Sequence, residues 1–268
     1  MLVLYHFGGA ICAQKVRLAL SEKDLTWESR DCIGLALRDP EYLKLNPNGV
    51  VPTLVHDDRV LTESRIISEY IDDAFAGPAL TPADPYARYH ARLWSKQIDD
   101  GLHLNVFILS FAIGFREVFL QMPPDVRATA LPGLRDPIKR RISQDLLEHG
   151  WESHWLRLSA NRFRRLAEEM EVCLARSPYL AGSDYSLADA DYTAYLNRLI
   201  DLGLSGLWAD KPAVAAWWER VKERPSYKSA IVDWTTPADI DRYSTSRARY
   251  AAEIGQLLTP SGTADRVA

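Results

Sequence analysis

Two places in the sequence bring together groups that could bind a small charged molecule or attack one. The first is residues 46–72, NPNGVVPTLVHDDRVLTESRIISEYID. Val51-Pro52 is an X-Pro bond at the mouth of a short apolar run. Proline donates no N–H to a sheet ladder, so it belongs at the first position of a strand or on an edge. Such a bond can be cis in a tight turn, which would turn the preceding backbone outward to pair with an extended peptide. Twelve positions past Val51, Glu63 and Ser64 stand at the head of an amphipathic run, Ile66, Ile67, Tyr70, Ile71. A helix start with a free hydroxyl takes a carboxylate, and the neighbouring Glu takes an ammonium group. A γ-glutamyl group, which carries both a carboxylate and an amine, fits that pair.

The second place is Cys12, at the expected first turn of a helix. Unpaired N–H groups and the helix dipole there favour a thiolate over a thiol with an ordinary pKa of about 8.5. A thiolate can form and resolve a mixed disulfide. Lys15 and Arg17 follow closely, and helix spacing is expected to aim them away. Free cysteine is also a common core residue, and Cys32 and Cys173 read that way. Tyr5 and His6 lie on the strand before Cys12, with His6 read as a satisfied sheet-edge histidine. The six histidines do not pair with cysteines at ligand spacing, so no metal site is expected.

The elements that must position these groups follow from periodicity. Residues 2–7 read as a buried strand, and residues 12–24 as a helix with Val16, Leu18, Ala19 and Leu20 inside. A strand over 26–31 and a short helix from Asp39-Pro40 to Leu45 come next. The proline joint then leads into a hairpin, 53–55 and 60–61, and a helix. The order β-α-β-α-β-β-α is that of a thioredoxin-like domain over residues 1–76. Turn residues crowd 76–85, a linker. Beyond it the pattern is helical throughout, giving an all-helical domain over 86–235 and an extension over 236–268.

Within that helical part, Asp84 should cap a long helix running from 85 towards 114. Residues 121–137 hold four prolines and read as a loop. A second long helix is expected over 138–176, broken near Gly150. Ser186-Leu187-Ala188-Asp189 has the form of a capping box ahead of an apolar helix. Lys211-Pro212 opens another helix, and a short one lies near 227–231. The tail from 236 carries weak amphipathy and ends frayed around Pro260.

Composition sets outer bounds. The chain has 268 residues, 47% apolar and 25% charged, so it can bury a sizeable core. A net charge of −4 recommends no nucleic acid. Three cysteines argue against a disulfide scaffold and for a reducing compartment, and the N-terminus has no basic signal-peptide region. A cytoplasmic protein with no membrane partner is expected. The most apolar stretch, 106–115, is too short to span a bilayer.

The pairing of VPTL with ES, behind a βαβ-like start and ahead of GSDYSLADA, resembles the glutathione S-transferase superfamily. The segments AICAQKVRLALSEK, NGVVPTL, LPGLRDPIKRRI and YLAGSDYSLADADY are similar to the branch of tetrachlorohydroquinone reductive dehalogenases. The opening and the long helical insert are also similar to the ganglioside-induced differentiation-associated proteins. The resemblance implies glutathione as co-substrate, held by Val51, Pro52, Glu63 and Ser64, with Gln14 and Lys44 as further candidates. It implies a catalytic Tyr, Ser or Cys at the end of the first strand. Ala10 stands where serine-type members carry a hydroxyl, which leaves Cys12 as the candidate. Thiol chemistry on a hydrophobic, aromatic electrophile, by reductive dehalogenation or deglutathionylation, is favoured over plain conjugation.

An electrophile pocket should lie between the domains, from Phe111, Phe115 and His103. The stripe Phe107, Phe111, Phe115, Phe119 equally suits a core. Trp151, Trp155 and the basic run Arg162, Arg164, Arg165 are secondary candidates. A homodimer is expected by family habit. The alternative is a glutathione-binding or protein-interaction module of the same fold without catalysis.

Overall fold

The computed structural model describes residues 1–130 and 135–259. A four-stranded sheet opens the chain: β1 (Leu2–His6), β2 (Glu28–Asp31), β3 (Thr53–His56) and β4 (Arg59–Leu61), in spatial order β2-β1-β3-β4. β1 runs parallel to β2, joined by the crossover helix α1 (Ile11–Glu22), and antiparallel to β3. The hairpin β3–β4 pairs Val55 with Val60 and turns at Asp57, whose φ is 55°. Two shorter helices complete this part, α2 (Pro40–Leu45), capped by the Asp39 carboxylate on the Glu41 N–H, and α3 (Ser64–Ala74). Leu4, Val16, Leu20, Leu54, Ile67 and Ile71 are buried between sheet and helices. That is the mixed α/β arrangement expected from the residue pattern.

The rest is helical. α4 (Pro85–Gln97), α5 (His103–Ser110) and α6 (Arg116–Gln121) form one continuous run, interrupted by wider turns over 98–102 and 111–115. Gly101 takes φ 146°, which kinks the run just before His103. The whole run spans 37 residues and is long and apolar enough, by length and composition, to cross a membrane. Half of its most apolar window is buried inside the fold, where Val106, Leu109, Phe111 and Ile113 build the central core.

The proline-rich 121–137 segment is not all loop. α7 (Pro124–Ala130) forms there, because proline is harmless at the first position of a helix, where its missing N–H would find no partner. Leu131–Leu134 lie outside the described residues. α8 (Pro137–His149) follows, and the break expected near Gly150 falls there, with Gly150 at φ 57°. The remaining helices are α9 (His154–Leu174), α10 (Leu187–Asp201), α11 (Pro212–Lys222), α12 (Pro225–Ala230), α13 (Pro237–Arg249) and α14 (Ala251–Leu258). α13 starts with its own capping box, Thr236 with Asp239, and lays Tyr243 against Gly114. The tail is therefore packed as far as Thr259; Pro260 and the residues after it lie outside the described residues.

Candidate functional site

The Val51–Pro52 peptide is cis and leads into β3. The carbonyl of Val50 accepts from both the Tyr42 hydroxyl and the Asn46 amide, which also reaches Thr53 Oγ1 at 3.1 Å. The proline joint is thus fixed from behind by buried polar side chains. Glu63 precedes α3 with φ 68° and ψ 104°, a backbone region that L-residues rarely occupy. Its side chain is exposed. Ser64 is the first residue of α3, and its hydroxyl is close enough to the Cys12 thiol to favour its anion. The two sequence motifs therefore meet at one place.

Cys12 sits in the first turn of α1 and is partly buried. Ala10 is the residue flanking that helix, and it offers no capping hydroxyl. The Cys12 sulfur lies 3.9 Å from His103 Nδ1 on α5. His103 in turn stands 3.0 Å from the Tyr195 hydroxyl on α10 and 3.4 Å from Lys139 Nζ on α8. Burial pushes the thiol up, but His103, Lys15 and the Ser64 hydroxyl outweigh it and hold the thiol down at about 7. A substantial fraction is then thiolate at neutral pH.

Lys15 corrects the expectation that helix spacing aims it away. It lies three positions after Cys12, and residues three apart share a helix face. Its ammonium is buried and pairs with Asp191 of α10 at 2.9 Å. Arg17 does point elsewhere, but into the protein rather than to solvent: its Nε donates to the Ala230 carbonyl at 2.7 Å.

The aromatic stripe divides. Phe111 is only 4% exposed, with ring centroids 6.0 Å from Phe107 and 5.2 Å from Phe119. It acts as core, the alternative that its spacing left open. Phe115 is half-covered by the Arg242 guanidinium of α13, 5.1 Å from its ring centre. Phe107 shares a neighbour with the thiol centre, since Lys139 Nζ, which contacts His103, also lies 5.3 Å from its ring.

Other candidates are engaged elsewhere. Lys44 pairs with Glu41 in solvent. Arg162 reaches Gln97, and Arg164 donates to the Leu257 carbonyl at 2.9 Å. Trp151 packs on Tyr250, and Trp155 on His154. Tyr5 packs against Tyr42. Cys32 is buried, and Cys173 donates to the Leu180 carbonyl. Gln14 is buried with Oε1 unpartnered among the described residues. No group of three or more metal-ligating side chains occurs among the described residues.

Sequence reasoning missed Lys15, Lys139, Tyr195 and Asp191. The spacing from Cys12 could have found Lys15. The other three come from α8 and α10, and no local pattern links them to Cys12.

The sheet order, the cis proline ahead of β3 and the polar start of α3 are accompanied by two family matches. The glutathione S-transferase N-terminal domain matches residues 4–79, and the C-terminal domain of the same family matches residues 156–225. The chain is 30% identical to the tetrachloro-p-hydroquinone reductive dehalogenase of Sphingobium chlorophenolicum, over 85% of this chain and 95% of that protein. This chain belongs to the glutathione S-transferase family. It is also 31% identical to glutathione S-transferase 3 of Zea mays, over 86% of this chain and 94% of that one. Among solved structures, the β-etherase LigF of a Sphingobium strain superposes with a TM-score of 0.76 at 29% identity. That match covers 85% of this chain and 98% of the other.

Proposed function

We propose that this glutathione S-transferase family member binds glutathione and uses Cys12 for thiol exchange on a hydrophobic aromatic electrophile. The observation that carries the reading is the place of the Cys12 thiol, in the first turn of α1 and 3.9 Å from His103 Nδ1, where Ala10 supplies no hydroxyl. Val51, Pro52, Glu63 and Ser64 hold the tripeptide, its main chain beside the proline and its γ-glutamyl end at the head of α3. The electrophile enters beside Phe107 and His103, with Phe115 at the rim.

The step that a cysteine adds to conjugation is removal of glutathione from a conjugate. The Cys12 thiolate attacks the glutathionyl sulfur, and a sulfur–sulfur bond forms. The bond from that sulfur to the substrate breaks, and its electron pair leaves with the substrate, which takes a proton. A second glutathione thiolate then attacks the mixed disulfide, releasing oxidised glutathione and free Cys12. When the conjugate was formed by displacing a halide, the net reaction is reductive dehalogenation. The relatives named as reductive dehalogenases and the reducing compartment suggested by three free cysteines support this reading over plain conjugation.

The same reading includes a homodimer in the cytoplasm. A 910 Å³ groove between α4 and α9 lies away from Cys12 and is flanked by exposed Tyr86, Leu93 and Val172. Glu168 and Glu169 line it, while Arg65, Arg88, Arg92 and Lys96 line the neighbouring cleft. Two copies related by a two-fold axis can set these opposite charges against each other.

The test pairs calorimetry with glutathione and turnover of chlorodinitrobenzene, a chlorinated hydroquinone and a glutathionylated disulfide, in the native protein and in Cys12→Ala. Glutathione should bind both proteins, and the last two reactions should vanish in the variant. Turnover of the chlorinated hydroquinone or the glutathionylated disulfide that survives the change removes Cys12 from the chemistry. Absence of any binding heat overturns the glutathione site itself.

A further inference from the structure

Four helices converge on the pair Cys12 and His103, and what they bring is ordered. α1 carries the thiol, α5 carries His103, α8 carries Lys139 and α10 carries Tyr195. His103 uses Nδ1 towards the sulfur, at 3.9 Å, and towards the Tyr195 hydroxyl, at 3.0 Å. Its other nitrogen, Nε2, faces Lys139 Nζ at 3.4 Å. An ammonium group has three donors and no acceptor. Nε2 must therefore accept from Lys139, and the ring proton sits on Nδ1, the nitrogen that faces the sulfur.

The consequence is directional. Nδ1–H donates to the Cys12 thiolate, with the Tyr195 oxygen as its second acceptor. Burial pushes the Tyr195 phenol well above its ordinary value, so it stays neutral and adds no competing negative charge. Lys139 is only partly buried, at the rim beside Phe107, so its outer side reaches water. A line of proton-bearing groups runs from solvent through Lys139 and His103 to the reacting sulfur.

We propose that Lys139 and His103 form a proton relay that protonates the group expelled when the Cys12 thiolate attacks a glutathione conjugate. This rests on the reading of Cys12 given above. As the bond from the glutathionyl sulfur to the substrate breaks, the electron pair goes to the departing group, which takes the Nδ1 proton. Lys139 passes a proton to Nε2 in the same movement, so the imidazole never carries a negative charge. The lysine, left as an amine, regains its proton from water. A neutral imidazole alone would be far too weak an acid for this task, and the lysine behind it removes the difficulty. His103 touches the reacting atoms; Lys139 and Tyr195 act through it and are positioning residues. The other charged groups around the centre are Lys15 on α1, Asp99 in the kinked turn and Asp191 on α10.

Asparagine separates the two tasks of His103, because its amide N–H can stand where Nδ1–H stands but cannot relay a proton. The experiment measures thiolate absorbance against pH, and product release in a single turnover of a glutathionylated aromatic substrate. His103→Asn should slow release by roughly 10²- to 10⁴-fold and move the thiol midpoint up less than His103→Ala does, because the amide keeps the hydrogen bond to the sulfur. His103→Ala should slow release and also move the midpoint up, towards 9. Lys139→Ala should slow release with glutathione affinity unchanged, and added ethylammonium should restore part of the rate. Release at the native rate in His103→Asn or in Lys139→Ala, or a slow Lys139→Ala that no amine rescues, overturns the relay. Cys12→Ala distinguishes the two readings. Activity that survives it removes the thiolate and the relay together. Activity lost there but kept in His103→Asn and Lys139→Ala overturns the relay alone.

Discussion

Lys15 does two jobs with one charge. Its ammonium, 2% exposed, pairs with Asp191, 4% exposed, at 2.9 Å. Burial alone would pull the Lys15 pKa down, but Asp191 and the neighbouring thiol outweigh it and raise it. The positive charge also favours the Cys12 thiolate. Lys15→Met leaves Asp191 buried without a partner, a change that costs about 3–5 kcal/mol. The expected outcome is a loss of that size in urea unfolding, together with a rise in the midpoint of Cys12 thiolate absorbance. The double change Lys15→Met with Asp191→Leu removes both charges. It should recover most of the stability while the thiol midpoint stays raised, which separates packing from electrostatics. Glu63 stores strain at the same site. A non-glycine residue in such a region costs on the order of 1–3 kcal/mol, and φ at Glu63 is 68°. Glu63→Gly should therefore raise the melting temperature, and calorimetry should show weaker glutathione binding if, as proposed, the Glu63 carboxylate meets the amine.

At the scale of elements, α10 is held at its start by one side chain. The Asp189 carboxylate, fully buried, accepts from the Ser186 N–H at 3.0 Å and the Ser186 hydroxyl at 2.8 Å. It also accepts from the Leu180 N–H at 3.0 Å and Trp217 Nε1 at 2.9 Å. Asp189→Ala orphans those donors in the core, and each buried unsatisfied group costs about 1–3 kcal/mol. Denaturant unfolding should show a loss of at least about 3 kcal/mol, with Asp189→Asn losing less because its carbonyl still accepts. This element was legible in the sequence, since a Ser and an Asp three apart ahead of an apolar run describe a purely local geometry. The hairpin at Val55 and Val60, the Asp39 and Asp84 caps and the break at Gly150 were legible for the same reason. Thr236 and Asp239 show the same spacing, yet the weak amphipathy of α13 hid the helix, whose buried side is Tyr243 set into the bare backbone of Gly114. The thiol centre was half legible. Cys12 stands out by type and place, while Ser64 and His103 stand out for other tasks, the tripeptide and the electrophile pocket. Lys139, Tyr195 and Asp191 do not stand out, because only the packing of α8 and α10 on α5 and α1 brings them near, from 127 to 183 positions beyond Cys12.

For the molecule as a whole, the sheet and the helical part are clasped around His6 and Arg17. Arg17 donates through Nε to the Ala230 carbonyl and through its terminal nitrogens to the Gly8 carbonyl, at 2.8 Å, and to His6 Nδ1, at 3.0 Å. Trp234, from the segment after α12, stacks on Trp27 and meets the His6 ring edge-on. Its carbonyl lies so close to Gly8 that any Cβ there would collide. Because a guanidinium only donates, His6 Nδ1 accepts, and the imidazole proton is on Nε2, donated to Ser29 Oγ at 2.8 Å. Protonating His6 would place an N–H against Arg17. Burial, and then the Arg17 charge, lower the His6 pKa from 6.5 to about 4. Between those values the unfolded chain binds a proton that the folded chain refuses, so stability rises with pH across this window. The contribution is fully present above pH 6.5 and is lost progressively as the pH falls to about 4. It amounts to about 3 kcal/mol. His6→Asn keeps an acceptor for Arg17 and does not titrate. Its unfolding free energy should fall less than that of the native protein between pH 6.5 and pH 4, by about that amount, followed by Trp fluorescence and by helical circular dichroism. Parallel curves for the two proteins would remove His6 from the acid response. A slope that changes in the fluorescence signal alone would mean that the clasp opens before either part unfolds.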